Sequence, residues 1–229
     1  MSNVEFNIKW DAVGEREYEV GASRCVLYPL VNGTYQDGVA WNGLTGVDEN
    51  PEGADINDTW ADNIKYVTFQ TPESHKGVIK AYMFPDEFYP SLGMISPEGM
   101  PGLIYGGQKR TGFGFCYRTE LGTDTDEEAG YKLHLVYNCK TSALSRSHAT
   151  KTDNIEPEEM SFDYSSTPVP VTGIDGVEYT SVVEVKSTDF TEGKMTALET
   201  VLYGTPASGN TAAVPARLPS PGEVKTLLT

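Results

Sequence analysis

Residues Trp41–Asn63 read WNGLTGVDENPEGADINDTWADN, and this stretch is the most informative part of the 229-residue chain. It holds six acidic residues and no Lys or Arg, and strand-like segments flank it. A loop of this length is uncommon in a compact domain unless it is functional or disordered. Because its apolar side chains are costly to leave in water, we predict that it docks against another surface, which suggests a subunit that works by assembling. The residues predicted to take part are Trp41, Leu44, Asp48, Glu49, Glu52, Asp55, Asp58 and Trp60.

Seven segments outside this loop have strand-like patterns, most of them alternating apolar with polar residues. The clearest is Tyr131–Tyr137, in which every second residue is Tyr or Leu. Such alternation is typical of strands with one buried face. Seven strands separated by turn signals predict a mainly β fold, either a sandwich or a barrel. The segments are 24–31, 64–69, 77–84, 111–118, 131–137, 160–164 and 177–186.

Helical signals are few. Thr191–Tyr203 places apolar residues on one face, Thr191 can act as its N-cap, and Gly204 can end it. One shorter helical turn is predicted over Asp86–Leu92, after a proline. The sequence therefore predicts one α-helix beside the strands.

The two ends of the chain have the composition of extended arms. Residues 1–23 are polar and interrupted by glycine, and residues 205–222 are small, Pro-rich and nearly uncharged. Residues 223–228 can form a final apolar hook. We therefore predict a β domain over residues 1–204 and a Pro-rich C-terminal arm over residues 205–229.

Charge and cysteine content restrict the class of protein. Seventeen Lys and Arg against 33 Asp and Glu give a net charge of −16, and an acidic protein does not grip phosphate backbones. The polar residues 1–10 predict no secretion signal, and the apolar runs are too short for a membrane helix. Three widely spaced cysteines predict reduced thiols in a protein made in the cytosol, although a bridge between Cys116 and Cys139 is an open alternative.

No chemical motif predicts catalysis. Asp124, Asp126 and Glu128 resemble the start of a calcium loop, but Leu135 stands where the last ligand is needed. The three histidines lie far apart, and His134 is predicted to be solvated on the polar face of a strand. We therefore predict no enzyme activity, no catalytic residue, no cofactor and no metal site.

The densest basic run is Gly106–Arg110. Lys109 and Arg110 fit two interpretations: exposed charges on a hairpin turn, or partners for the acidic loop of a neighbouring subunit. A surface ion pair contributes little by itself, but in a repeating assembly each pair recurs many times.

The order of segments resembles the major tail tube protein of long-tailed bacteriophages (siphovirus type), in the group found in Gram-positive hosts and their prophages. None of the matching segments is a catalytic signature, so the resemblance depends on their number and order. They are Val26–Pro29, Gly38–Thr45, Ala61–Tyr66, Ala81–Phe88, Gly107–Gly114, Cys116–Thr119, Gly130–Tyr137 and Ser166–Val169.

The resemblance implies a structural protein of the virion tail that is made in the host cytoplasm. It implies a β-sandwich or barrel subunit with a flanking helix, six of which form a ring whose inner sheets join into one barrel. Rings stack into a tube for DNA ejection, and the long loop reaches the adjacent ring. The implied partners are copies of the chain, the tape-measure, tail-tip and tail-terminator proteins, and viral DNA that passes without specific binding; no membrane is involved.

An acidic tube wall would repel DNA over about one Debye length, roughly 8 Å in physiological salt. Asp163, Glu178 and Glu184 lie on polar strand faces and are candidates for this lumen, although an ordinary solvated face is the alternative. Two other functions stay open. One is the tube of a contractile injection particle or gene-transfer agent, and the other is a carbohydrate- or host-binding β module.

Overall fold

The computed structural model describes residues 8, 10–100, 102–148, 150, 157–209 and 212–229. In these residues thirteen strands and two α-helices follow one another along the chain. The strands are β1 Tyr18–Val31, β2 Thr34–Tyr35, β3 Val39–Ala40, β4 Leu44–Glu49, β5 Ile56–Ala61, β6 Ile64–Gln70, β7 Lys76–Ala81, β8 Gly112–Gly122, β9 Gly130–Thr141, β10 Met160–Ser166, β11 Val169–Pro170, β12 Tyr179–Thr180 and β13 Val182–Lys186. The helices are α1 Glu192–Tyr203 and α2 Pro221–Leu228, and short 3-10 turns occupy Asp86–Phe88 and Ser187–Asp189. No helix in the described residues has the length and apolarity needed to cross a membrane.

Nine strands form one antiparallel sheet in the order β2-β1-β8-β9-β10-β7-β4, with β3 beside β1 and β13 beside β9. The mainly β prediction is confirmed. Strand β3 pairs with β1 and strand β4 pairs with β7, so residues 41–43 connect two distant strands of the path. This connection closes the sheet into a barrel.

The sheet separates two hydrophobic cores because alternate residues of each strand point to opposite faces. Phe113, Phe115 and Val136 pack inside the barrel, in the cluster that also contains Trp41. On the other face, Cys116 and Leu135 pack under the two helices. The helix residues in this second core are Met195, Leu198, Leu202, Val224 and Leu228.

Trp41 fills the barrel interior at the point of closure. Its side chain is 2% exposed, its ring centroid lies 4.6 Å from that of Phe88, and its Nε1 donates to the Met83 carbonyl at 2.9 Å. Trp41 therefore docks on its own chain, so its side chain does not take part in the contact with an adjacent ring that the resemblance implies for this stretch.

The predicted long loop also needs correction. Residues 44–49 form β4 within the sheet, and residues 56–61 form the first strand of a hairpin with β6. The sequence analysis did not predict these two strands because they contain Gly, Asp and Asn, which are depleted in strands.

A second correction concerns the helices and the C-terminal arm. Pro221–Leu228, predicted as part of an extended arm, is a second helix with a regular start: the Ser220 side chain accepts a bond from the Glu223 amide, and Pro221 takes the first position. Val224 and Leu228 pack in the outer core, which agrees with the apolar hook expected there. The division into domains at residue 204 stays a prediction.

Strand β1 begins at Tyr18, earlier than predicted, and is bent by two irregularities in its pairing with β8, near Val20–Ser23 and Ser23–Val26. Bulges bend a strand and increase its twist. The bend lets Tyr18–Ser23 continue past the barrel beside β8. Residues 1–7 and 9 of the predicted N-terminal arm lie outside the described residues.

Replacing Trp41 with Ala should destabilise the fold by about 3–5 kcal/mol, because it leaves a cavity at the closure of the barrel. Urea unfolding of the purified subunit measures this change. Trp60→Ala is the matched control, since Trp60 is 66% exposed, and it should stay within about 0.5 kcal/mol of the wild type. Equal effects of the two substitutions would contradict the assignment of Trp41 to the core.

Candidate assembly surfaces

The hairpin formed by β5 and β6 stands apart from the main sheet. Its two strands pair only with each other in the described part of the chain. Asp62 and Asn63 join them with positive φ angles of 50° and 63°, the conformation that a two-residue type I′ turn requires. An isolated hairpin is marginally stable in water, so a surface that covers it would stabilise it.

The hairpin exposes large apolar side chains on both of its faces. Five of its residues are between 60% and 73% exposed: Ile56, Trp60, Ile64, Tyr66 and Phe69. Trp60 lies on the face of Asp58, whereas Phe69 is opposite Asn57 and faces the other way. A monomeric protein rarely exposes such a concentration of apolar surface without a binding role. The hairpin is therefore the first candidate assembly surface.

Most acids of the predicted docking loop already have partners within the chain. Asp48 pairs with Lys80 at 2.7 Å, Glu52 with Lys76 at 2.5 Å, and Asp58 with Lys65 at 2.7 Å. Glu49 accepts a hydrogen bond from Tyr117 at 2.6 Å. These contacts join β4 to β7 and β8, tie Glu52 to the start of β7, and link the two strands of the hairpin to each other. Of the predicted apolar residues, Leu44 packs against the inner core, and Trp60 points to solvent.

A second candidate surface is an open four-stranded sheet beside the barrel. It consists of Tyr18–Ser23 of β1, then β8, then Gly130–Val136 of β9, then β13. Neither the outer edge of Tyr18–Ser23 nor the outer edge of β13 has a partner strand among the described residues. Unpaired strand edges are templates for pairing with another chain. This sheet therefore offers one free edge on each side.

The two faces of the four-stranded sheet differ in chemistry. Leu133 and Val185 lie on the face that α1 covers. The opposite face, here called the charged face, carries Glu19, Thr119, Lys132, His134, Glu184 and Lys186. Lys132 contacts Glu19 at 2.6 Å and Glu184 at 3.4 Å, and Lys186 contacts Glu17 at 2.6 Å.

The contact between Glu19 and Lys132 shifts the pKa values of both groups. Burial alone would raise the pKa of Glu19, but hydrogen bonds from Lys132 and Thr119 outweigh it and lower the pKa below 4.5. The same bond to Glu19 is the main cause of the raised pKa of Lys132. Glu19 and Lys132 therefore both stay charged through the neutral range.

His134 is not solvated as predicted. It is 5% exposed, and its ring stacks on Tyr117 with centroids 4.5 Å apart and planes 4° apart. Its Nε2 lies 3.2 Å from Glu19, and its Nδ1 lies 3.9 Å from both Glu49 and Glu184. The prediction of a solvated His134 was wrong because alternation shows which residues share a strand face, but it does not show whether other side chains cover that face. Here the end of β4 brings Glu49 over the ring.

The predicted lumen residues do not lie together. Glu184 lies on the charged face, opposite His134. Asp163 is exposed on the outer face of the barrel, between the inward residues Phe162 and Tyr164. Glu178 is exposed before β12, outside any strand.

The two basic residues of the run Gly106–Arg110 have different environments. Arg110 donates to the carbonyls of Thr141 and Ser142, so it braces its own chain. Lys109 is exposed and has no ion pair within the described residues. Contact of either residue with a neighbouring subunit remains a prediction.

The three cysteines are free and buried, in agreement with the expectation of reduced thiols. Burial raises the pKa of Cys116 to about 12 and raises the pKa values of Cys25 and Cys139 as well. In the described residues no group of three or more His, Cys, Asp or Glu side chains is arranged to hold a metal ion.

No protein family and no curated protein matches the chain. Among solved structures it is similar to a chain of the cryo-EM structure of an extracellular contractile injection system, the PVC sheath–tube complex in its extended state. That similarity covers 71% of this chain and 88% of that chain, with 11% identity and a TM-score of 0.32. A TM-score of this size does not establish a shared fold or a shared role.

Acid should weaken the fold through Glu19. Because its pKa is lowered in the folded state, its contribution is complete above the unfolded pKa of 4.5 and is lost as the pH falls through the folded value. The free energy of unfolding should therefore fall less steeply between about pH 5 and pH 3 in Glu19→Gln than in the wild type. Urea unfolding at several pH values measures the slope. Glu178→Gln is the control, and a wild-type slope for Glu19→Gln would contradict the prediction.

Proposed function

We propose that this chain is the structural subunit of a bacteriophage tail tube of the siphovirus type, which assembles into stacked rings that conduct DNA. The observation that carries the proposal is the four-stranded sheet with two free edges, one face under a helix and one charged face. The hairpin with exposed apolar side chains on both faces supplies a second contact surface. In this proposal the subunit acts by assembly and needs neither enzyme activity nor a cofactor.

Pairing of the two free edges accounts for a ring. If Tyr18–Ser23 of one copy pairs with β13 of the next, every copy uses two different edges, and such a head-to-tail contact closes when its rotation closes. Closure removes the exposed edges that would otherwise pair without control. The helices then lie outside the ring and the charged faces line its interior.

The size of the ring follows from the number of copies, which the resemblance to tail tube proteins puts at six. Four strands from each copy give about 24 strands, spaced about 4.8 Å apart and tilted by roughly 40°. The barrel would then be roughly 40–50 Å wide between backbones. Barrels of 16–18 strands already hold a water-filled channel, so this ring has an open lumen.

The charged face suits a wall along which DNA moves without adhering. Its acids and lysines are paired with each other at 2.6–3.4 Å, so no free cluster of cations is offered to phosphates. Membership of the virion tail, synthesis in the host cytoplasm, and the tape-measure, tail-tip and tail-terminator partners are part of the same proposal. They rest on the resemblance in sequence.

Concentrated wild-type protein should form rings or hollow tubes in negative-stain electron microscopy. A variant in which two glycines replace residues 56–70 should stay folded but form no tubes, because these residues belong to neither core and form the second contact surface. The main chains of Asp55 and Thr71 are hydrogen-bonded at 3.0 Å, so a short link spans the gap. Thr59→Ser, which removes no large apolar side chain, is the control and should assemble normally. Tubes formed by the deletion variant would contradict a role of the hairpin in assembly.

Glu184→Lys should slow DNA ejection from particles built with it, because it replaces a negative by a positive charge in every copy and so changes the net charge of the proposed lumen wall by +2 per copy. Glu178→Lys makes the same change outside the charged face and should leave the ejection rate unaltered. Time-resolved fluorescence of released DNA measures both rates. Equal rates for Glu184→Lys and the wild type would exclude Glu184 from the wall.

A further inference from the structure

The hairpin and a second apolar surface lie at opposite ends of the barrel. Strands β4 and β7 run side by side, with Glu49 opposite Gly77 at one end and Leu44 opposite Ala81 at the other. The hairpin connects the Glu49 end to the start of β7. Residues 82–111, here called the cap segment, follow Ala81 at the other end. The six residues of β7 separate the two ends by roughly 17–20 Å.

The cap segment is fixed to the barrel. The Tyr82 amide donates to the Gly43 carbonyl at 2.9 Å, and the carbonyl of Met83 receives the bond from Trp41. Ile95 and Tyr105 exchange backbone bonds of 3.0 and 2.9 Å, and Arg110 anchors the far end. The segment is therefore a preformed platform, so binding to it needs little ordering of the chain.

The outer surface of the cap segment is apolar and contains a groove. Six large apolar residues are 44–58% exposed there: Tyr82, Met83, Ile95, Met100, Leu103 and Tyr105. The groove has a volume of about 330 Å³, and Tyr89, Met94, Ile95 and Ile104 form part of its lining. Asp86 and Glu87 also lie on it and give it a negative side.

The hairpin has the complementary chemistry. Trp60 is 66% exposed, and its register partner on β6 is Lys65. A large aromatic ring and a lysine therefore project next to each other. The cap groove offers an apolar lining beside two carboxylates. Aromatic anchors are enriched at the centres of protein interfaces, so the apolar lining suits Trp60. The carboxylates of Asp86 and Glu87 suit Lys65, which pairs with Asp58 at 2.7 Å within its own chain.

We propose that the hairpin of one copy docks on the cap segment of the next copy, with Trp60 in the cap groove and Lys65 against Asp86 and Glu87. This inference rests on the proposed function, for which it supplies the contact between rings. The two surfaces differ and lie at opposite ends, so the contact is head-to-tail and repeats along an axis without closing. Both apolar surfaces are then covered in every copy except those at the two ends of the tube.

Charge exchange tests the contact. Lys65→Glu should abolish tubes, as should the double variant Asp86→Lys/Glu87→Lys, because each places like charges together. The two changes combined in one chain should restore tubes, since opposite charges meet again. Lys80→Glu, which also breaks a lysine–aspartate pair but lies outside both surfaces, is the control and should assemble. Normal tubes from Lys65→Glu, or no restoration in the combined chain, would overturn the proposal.

Disulfide cross-linking gives a second measurement that does not depend on charge. The native cysteines are buried, so Asp58→Cys, which lies on the same hairpin face as Trp60, with Ile95→Cys in one chain introduces accessible thiols and keeps the Trp60 anchor. Oxidation of the assembled protein should give covalent dimers and longer chains, whereas Tyr179→Cys with Ile95→Cys should not. Absence of cross-links in tubes that do form would overturn the docking site alone. Failure of the wild type to form rings or tubes would instead reject the proposed function.

Discussion

Closure of the barrel by residues 39–49 is the constraint on which the other features depend. This short segment pairs with β1 through β3 and with β7 through β4, and Trp41 between them fills the interior. The closure determines the position of the hairpin, because β4 ends at Glu49, at the end of the barrel where the hairpin follows. It also brings Glu49 over His134 and fixes Met83 at the start of the cap segment. Trp41 therefore both fills the inner core and holds the start of the cap segment on the surface.

The sequence predicted the positions of most strands, but it did not predict which of their residues are buried and by which other elements. Alternation identified β9 and β10 because large apolar side chains recur at every second position of each strand and pack in one core: Leu133, Leu135 and Tyr137 in the outer core, and Phe162 and Tyr164 in the inner core. It failed for β4 and β5, where Gly, Asp and Asn replace the usual strand formers and pairing with β7 or β6 supplies the stability. Local propensity is a weak guide where tertiary contacts decide the conformation.

The candidate surfaces were only partly visible in the sequence. The sequence predicts docking by the stretch Trp41–Asn63. Its two tryptophans have opposite environments, since Trp41 lies in the core and Trp60 lies in solvent. Nothing in a single sequence distinguishes them, since both stand beside polar residues in a strand-poor pattern. The charged face was missed for a similar reason: Glu19 and Lys132 are 113 positions apart and meet only through the order of β1, β8 and β9.

The pairing of charges within the charged face determines where the remaining charge resides. Glu19 and Glu184 of this face are balanced by Lys132 and Lys186, and Lys186 pairs with Glu17 beside the face, so most of the net charge of −16 belongs to the rest of the molecule. Free subunits consequently repel one another in solution over about a Debye length. If the subunit assembles as proposed, repulsion of this kind delays spontaneous nucleation until a template holds the first copies together.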